Sequence, residues 1–202
     1  RDEEGNLILP EDTGQEAMKA MENLGRQYEA LSGYYPRPKK VLFGDVMSYQ
    51  SLMGLYSAFT LESMYNGDMM TYNVPDTMCH ELSHMKGFMR EDEANFIAYL
   101  ACRESGNPAL QYSGAMNALV YPTNPLSAAA GSEVYAEIFS LVDEEPIQEL
   151  AKNDAFWQQF EGPVKEVSQA ANDAYLKAND QEDGMKSYGR MVDLLLAEYF
   201  DQ

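Results

Sequence analysis

At 202 residues and 22.7 kDa the chain can bury one substantial core, and a second independent core is not expected at this size. Apolar residues at 45% and charged residues at 23% sit near the average for soluble globular chains, which excludes global disorder. The net charge of -19, from 33 acidic against 14 basic residues, repels phosphate backbones and anionic lipid, so nucleic acid is not expected as a partner.

Residues 1–12 lack periodicity and read as a flexible N-terminal arm, with a single domain expected over 13–202. Thr13 followed by Glu16 forms a capping box, and Ala17, Met18, Met21, Leu24, Tyr28 and Leu31 recur at helical spacing until Gly33 supplies a stop. Two prolines make 34–38 an extended connector into Val41, Leu42 and Phe43, a short strand candidate. Residues 55–65 are rich in strand formers and alternate in polarity. Asn66-Gly67 then closes them with a turn signal, so one strand with a polar face is expected.

Beyond Pro75 the pattern turns helical. Asp76 or Thr77 can cap a helix over 78–86 that Gly87 ends, and 91–103 forms another. Further helices are expected near 109–120, 129–142, 155–178 and 188–200, separated by Pro122, Pro125, Pro146 and Gly184. The expected class is therefore α+β, mostly helical with a small sheet. Cys79 and Cys102 are too few for a disulfide scaffold and form no Cys-x-x-Cys pair. They are either buried thiols or one bridge. No apolar run is long enough to span a membrane, and the first residues carry no signal pattern. A chain opening on Arg1 without a methionine reads as trimmed, so a membrane or targeting segment ahead of it stays open.

The informative segment is Cys79-His80-Glu81-Leu82-Ser83-His84, followed by Gly87 and Arg90-Glu91. On a helix, residues four apart share a face, so His80 and His84 can offer two imidazole nitrogens to one ion. Glu81, next to the first ligand, would stand beside the metal without binding it and could take a proton from the attacking water. The chain holds two histidines in all, and both fall in this motif. Two randomly placed histidines lie four apart roughly once in a hundred, so coincidence is the weaker account.

A catalytic zinc needs a third protein ligand and an open position. With no histidine left, the ligand should be a carboxylate, and Glu91, Asp92, Glu93 and Glu104 are the candidates. An acidic cluster at a helix start is also favoured by the helix dipole, which accounts for some of these residues without any metal. The His-x-x-x-His-x-x-Gly spacing mimics metzincins, but Arg90 stands where their third histidine would, so that family does not fit.

Glu91-x-x-Ala94-Asn95 resembles the Glu-x-x-Ala-Asp element of gluzincin-type membrane peptidases and the Glu-x-x-Ala-Asn element of peptidases that cleave phage repressors. That resemblance implies Glu91 as the zinc ligand. Asn95, one turn on, would then orient a ligand from behind. Together with residues 54–62 and 187–194, these motifs resemble an uncharacterised family of bacterial zincin-like proteins, and most of the chain is covered. The resemblance implies a zincin-like metallopeptidase fold with an active-site helix, and members of that family carry N-terminal transmembrane helices. It also implies a membrane-anchored native protein, with the extracytoplasmic side favoured.

Residues 56–65 would be the strand that pairs with an extended peptide, in which case the substrate is a peptide or protein. Phe59, Leu61 and the methionines would partly line its pockets, although each is individually better read as core. Tyr188 and Arg190 could stabilise an oxyanion, whereas Ser187 nearby reads as a helix cap. Three functions compete: a zinc metallopeptidase, a non-catalytic zincin-fold binding or sensory domain, and a metal-free interaction domain.

Overall fold

The computed structural model describes residues 1–178 and 188–200, and it is mostly helical with one small mixed sheet, in agreement with the α+β expectation. Helix α1 (Thr13–Leu24) is capped one residue earlier than expected. Asp12 accepts from the Gln15 N–H at 2.8 Å, while the Thr13 hydroxyl donates to the Pro10 carbonyl. It also stops nine residues short of Gly33. The chain doubles back there, and a Cβ at Gly25 would meet the Leu31 carbonyl oxygen at 2.5 Å. A single 3-10 turn, Glu29–Leu31, fills the interval.

The sheet differs more. Strand β1 is Lys39–Lys40, just before the expected Val41 to Phe43. Leu42 and Phe43 are exposed, and Phe43 leads into an unexpected short helix, α2 (Gly44–Tyr49). The single strand expected over 55–65 is a hairpin, β2 (Gly54–Ser57) and β3 (Glu62–Tyr65), with register Gly54 to Tyr65 through Ser57 to Glu62. Leu61 takes a left-handed φ of 54° in the connecting turn, so Phe59 and Leu61 stand in solvent rather than in a core. The order is β1-β3-β2, with β1 parallel to β3, so β2 is an edge strand.

Helix α3 (Asn73–Met85) begins five residues before the expected start, and Asp76 is not its cap. Its first turn is held from outside instead. The Asp76 N–H donates to the Ser113 hydroxyl at 3.0 Å, and that hydroxyl donates to the Tyr72 carbonyl. α4 (Glu91–Glu104) matches its expected span closely. α5 (Pro108–Phe139) runs on past Pro122 and Pro125 and breaks at Gly131, where φ is 79°. α6 (Glu144–Gln158) takes Pro146 into its first turn, where a missing N–H costs no helical bond. The helix expected over 155–178 is divided at Gly162-Pro163, after which α7 (Pro163–Ala178) begins. α8 is Tyr188–Phe200, and the separator Gly184 and the cap Ser187 lie outside the described residues.

α3 is the centre of the molecule, packed by α1, α4, α5 and the hairpin. Met21 and Leu24 of α1, Met78 and Leu82 of α3, Ala98 and Ala101 of α4, Leu110 of α5 and Met191 of α8 form one buried cluster. Small residues on α4 let it lie close to its neighbours, as does Gly114 of α5, where a Cβ would meet that of Cys102 at 2.6 Å. Cys79 and Cys102 are buried free thiols with sulfurs 4.0 Å apart across α3 and α4. Residues 1–12 form neither helix nor strand. Arg1 pairs with the buried Glu149 carboxylate at 2.7 Å, and Lys152 donates to the Glu4 carbonyl. None of the described helices is long and apolar enough to cross a membrane.

Candidate metal centre

His80 and His84 lie one turn apart on the face of α3 that meets α4, with ring centroids 4.6 Å apart and planes nearly perpendicular. Gly87 follows, with φ of 90°, a left-handed value that glycine reaches without a Cβ penalty. This turn does two things. It brings the Phe88 carbonyl within 2.8 Å of His84 Nδ1, and it starts α4 so that Glu91 faces back onto α3. With Nδ1 donating to Phe88, His84 directs the lone pair of Nε2 towards the site.

Glu91 meets both rings: its oxygens lie 3.3 Å from His80 Nε2 and 3.8 Å from His84 Nε2. Ligands about 2.0 to 2.1 Å from a tetrahedral zinc stand about 3.3 Å from one another, a spacing that one Glu91 oxygen matches at His80 and the other approaches at His84. Among the described residues, His80, Glu81 and His84 also bring ligand atoms within 4.8 Å of one another. Glu91 is nearer than that to both nitrogens. The carboxylate of Glu81 instead abuts β2, where a Cβ on Gly54 would stand 2.4 Å from Oε1. Either carboxylate could complete a donor set with the two imidazoles, Glu81 from their own helix and Glu91 from the next.

The four groups differ in their electrostatics. Burial pushes the Glu81 carboxyl up to about 7, with Glu91 adding to the rise and His80 opposing it. Burial alone would lower His80, but the hydrogen bond to Glu91 and the charges of Glu81, Glu91 and Asp76 outweigh it and push the ring up to about 9. Burial and the charge on His80 hold His84 below its ordinary value. Burial would raise Glu91, yet the bond to His80 and the charges of both rings keep it below the usual carboxylate range. In the ion-free site these shifts favour a proton on His80 and a charged carboxylate on Glu91.

The remaining candidates fall elsewhere. Asp92 is buried and pairs with Arg90 at 2.9 Å, and Glu93 also meets Arg90 at 3.5 Å, so both serve the start of α4. Glu104 is at the far end of α4, bound to Gln27 and Arg103. Asn95 stands one turn beyond Glu91 and is half-buried. Tyr188 opens α8, and Arg190 is exposed on it. Residues that the sequence reading did not single out for the site are Gly54, Phe88 and, as more than a cap, Asp76. Of these only Gly87-Phe88 had a local signal, the glycine stop itself.

The fold and the site define a helical α+β domain whose central helix and its successor bring two imidazoles and a carboxylate together beside a second, buried carboxylate. The chain belongs to a family described as protein of unknown function (DUF3810), whose sequence pattern matches residues 1–196. No curated protein and no solved structure matches it.

Proposed function

We propose that the chain is a zinc metallopeptidase of zincin-like fold, with His80, His84 and Glu91 holding the ion and Glu81 acting as general base. The observation that carries this reading is the approach of both Nε2 atoms to one carboxylate of the next helix, with Glu81 buried alongside. A purely structural zinc site is closed by four ligands and has no use for such a base. Zinc, when bound, lowers the pKa of water from 15.7 to about 7 and polarises a substrate carbonyl.

The protein's own groups do the rest. Glu81 takes a proton from the attacking water and delivers it to the leaving amine, a transfer best served by a carboxyl whose pKa is near working pH. The free edge of β2 offers unpaired backbone groups to an extended peptide, which would pass Gly54 and therefore Glu81. Asn95 is proposed to steady Glu91, and Tyr188 and Arg190 are the proposed oxyanion contacts. The domain is proposed to belong to a membrane-anchored protein.

The test is cleavage of a peptide library by the wild type and by Glu81→Gln, with the zinc content of both measured. The wild type should cleave, and the variant should keep its zinc while losing roughly 100- to 10,000-fold in rate. Equal rates at equal zinc would remove the catalytic claim and leave a metal-bearing binding domain.

A further inference from the structure

Asp76 is buried in the first turn of α3, with 7% of its surface exposed, and its Oδ1 has no hydrogen-bond partner. A buried carboxylate oxygen left unpartnered is costly, and folded proteins keep such an atom where something else makes use of it. The helix dipole is not a sufficient reason, because an acidic residue serving only the dipole does so equally well at the surface. Neighbouring α5 contacts this residue through its backbone, with Ser113 Oγ accepting from the Asp76 N–H.

What lies one turn further along the same face is His80. Helical side chains lean towards the N-terminus, which puts position 76 within reach of the side chain at position 80 on the shared face. Each group registers the other: the charge of His80 lowers Asp76, and that of Asp76 raises His80. His80 directs Nε2 at Glu91, which leaves Nδ1 as the nitrogen to be held from behind. The second imidazole already has such a partner, the Phe88 carbonyl on Nδ1.

We propose that Asp76 is a positioning residue for the metal centre, the acceptor that takes Nδ1–H of His80 when the ion is bound and so presents Nε2 to it. The inference rests on the metal reading above and extends it to a residue four positions before the motif. The two imidazoles then differ in kind. His84 is held by a neutral carbonyl, whereas His80 is backed by a carboxylate, which makes it the more basic ligand and offsets part of the ion's charge.

The experiment uses the full chain, with Asp76→Asn as a near-isosteric variant and His84→Ala as the reference for the metal centre. Zinc affinity is read by competition with a chelator, and the imidazole nitrogens and their protons are followed by NMR with and without zinc. Asp76→Asn should fold, bind zinc about 10- to 100-fold more weakly, and shift the His80 Nδ1–H resonance of the loaded protein while leaving that of His84 in place. Unchanged affinity and an unmoved His80 resonance in Asp76→Asn would overturn the proposal, provided His84→Ala abolishes zinc binding. If His84→Ala binds zinc like the wild type, the metal reading itself falls. A merely structural role for Asp76 would alter the melting temperature without moving the His80 resonance selectively, and that result also counts against the proposal.

Discussion

Glu81 and Gly54 are in contact through a space that admits no side chain: a Cβ built on Gly54 would lie 2.4 Å from Glu81 Oε1 and 2.6 Å from its Cγ. The edge strand and the proposed base therefore set each other's position. Gly54→Ala forces one of them to move, and because the glycine φ lies outside the left-handed region the conflict is steric alone. Turnover should fall by about 100-fold, the scale of a displacement near 1 Å, while zinc content stays that of the wild type. Steady-state peptide hydrolysis beside metal analysis checks this, and an alanine variant as active as the wild type would show that Glu81 does not need its observed position.

The choice among acidic residues is equally open to measurement. Glu91 is 3.3 Å from His80 Nε2, whereas Glu104 binds Gln27 and Arg103 at the other end of α4. Glu91→Gln is expected to weaken zinc binding by more than about 100-fold, beyond the loss typical of an outer partner. Glu104→Gln should leave the affinity unchanged. A chelator-competition titration of the two variants decides the matter, and the reverse ranking would reassign the third ligand.

Ion uptake has a proton to displace. With His80 pushed up to about 9 and His84 held below its ordinary value, one imidazolium must lose its proton before both rings can ligate. Zinc affinity should therefore rise with pH by about tenfold per unit through neutrality and level off above about 9. Competition titrations at several pH values test the sign, and an affinity flat from pH 6 to pH 8 would mean that His80 is already neutral.

Gly87 has open space around it, so a substitution there meets no neighbour and reports on backbone strain alone. Gly87→Ala must hold a φ of 90°, at a cost of about 1 to 2 kcal/mol in stability. The same turn delivers the Phe88 carbonyl to His84, so zinc affinity should fall with it. Denaturant unfolding and chelator competition measure the two effects, and an alanine variant of wild-type stability would show that the turn relaxes freely.

Much of the helical framework was legible because periodicity of apolar residues is a local property. The span of α4 and the stop at Gly87 follow from it. The hairpin was not legible. Leu61 makes its turn with a left-handed φ and without glycine or asparagine, and alternation of side chains reads the same in one strand as in two. The early end of α1 depends on a close approach between Gly25 and the Leu31 backbone, which no pattern within the helix records. Phe59 and Leu61 are exposed because the turn carries them past the sheet, against the usual preference of such residues for a core.

The pairing of His80 with His84 and the place of Glu81 between them were readable from residue spacing, since the helical repeat alone puts positions four apart on one face. Glu91 was singled out by its Glu-x-x-Ala-Asn resemblance, but its approach to both rings, the carbonyl behind His84 and what presses on Glu81 were decided by packing. Glu91, Phe88 and Gly54 come to the site from another helix, a turn and an edge strand. Contacts between separate elements depend on how those elements close around a shared core, and a one-dimensional pattern carries that information only where a local signal such as Gly87 marks the bend.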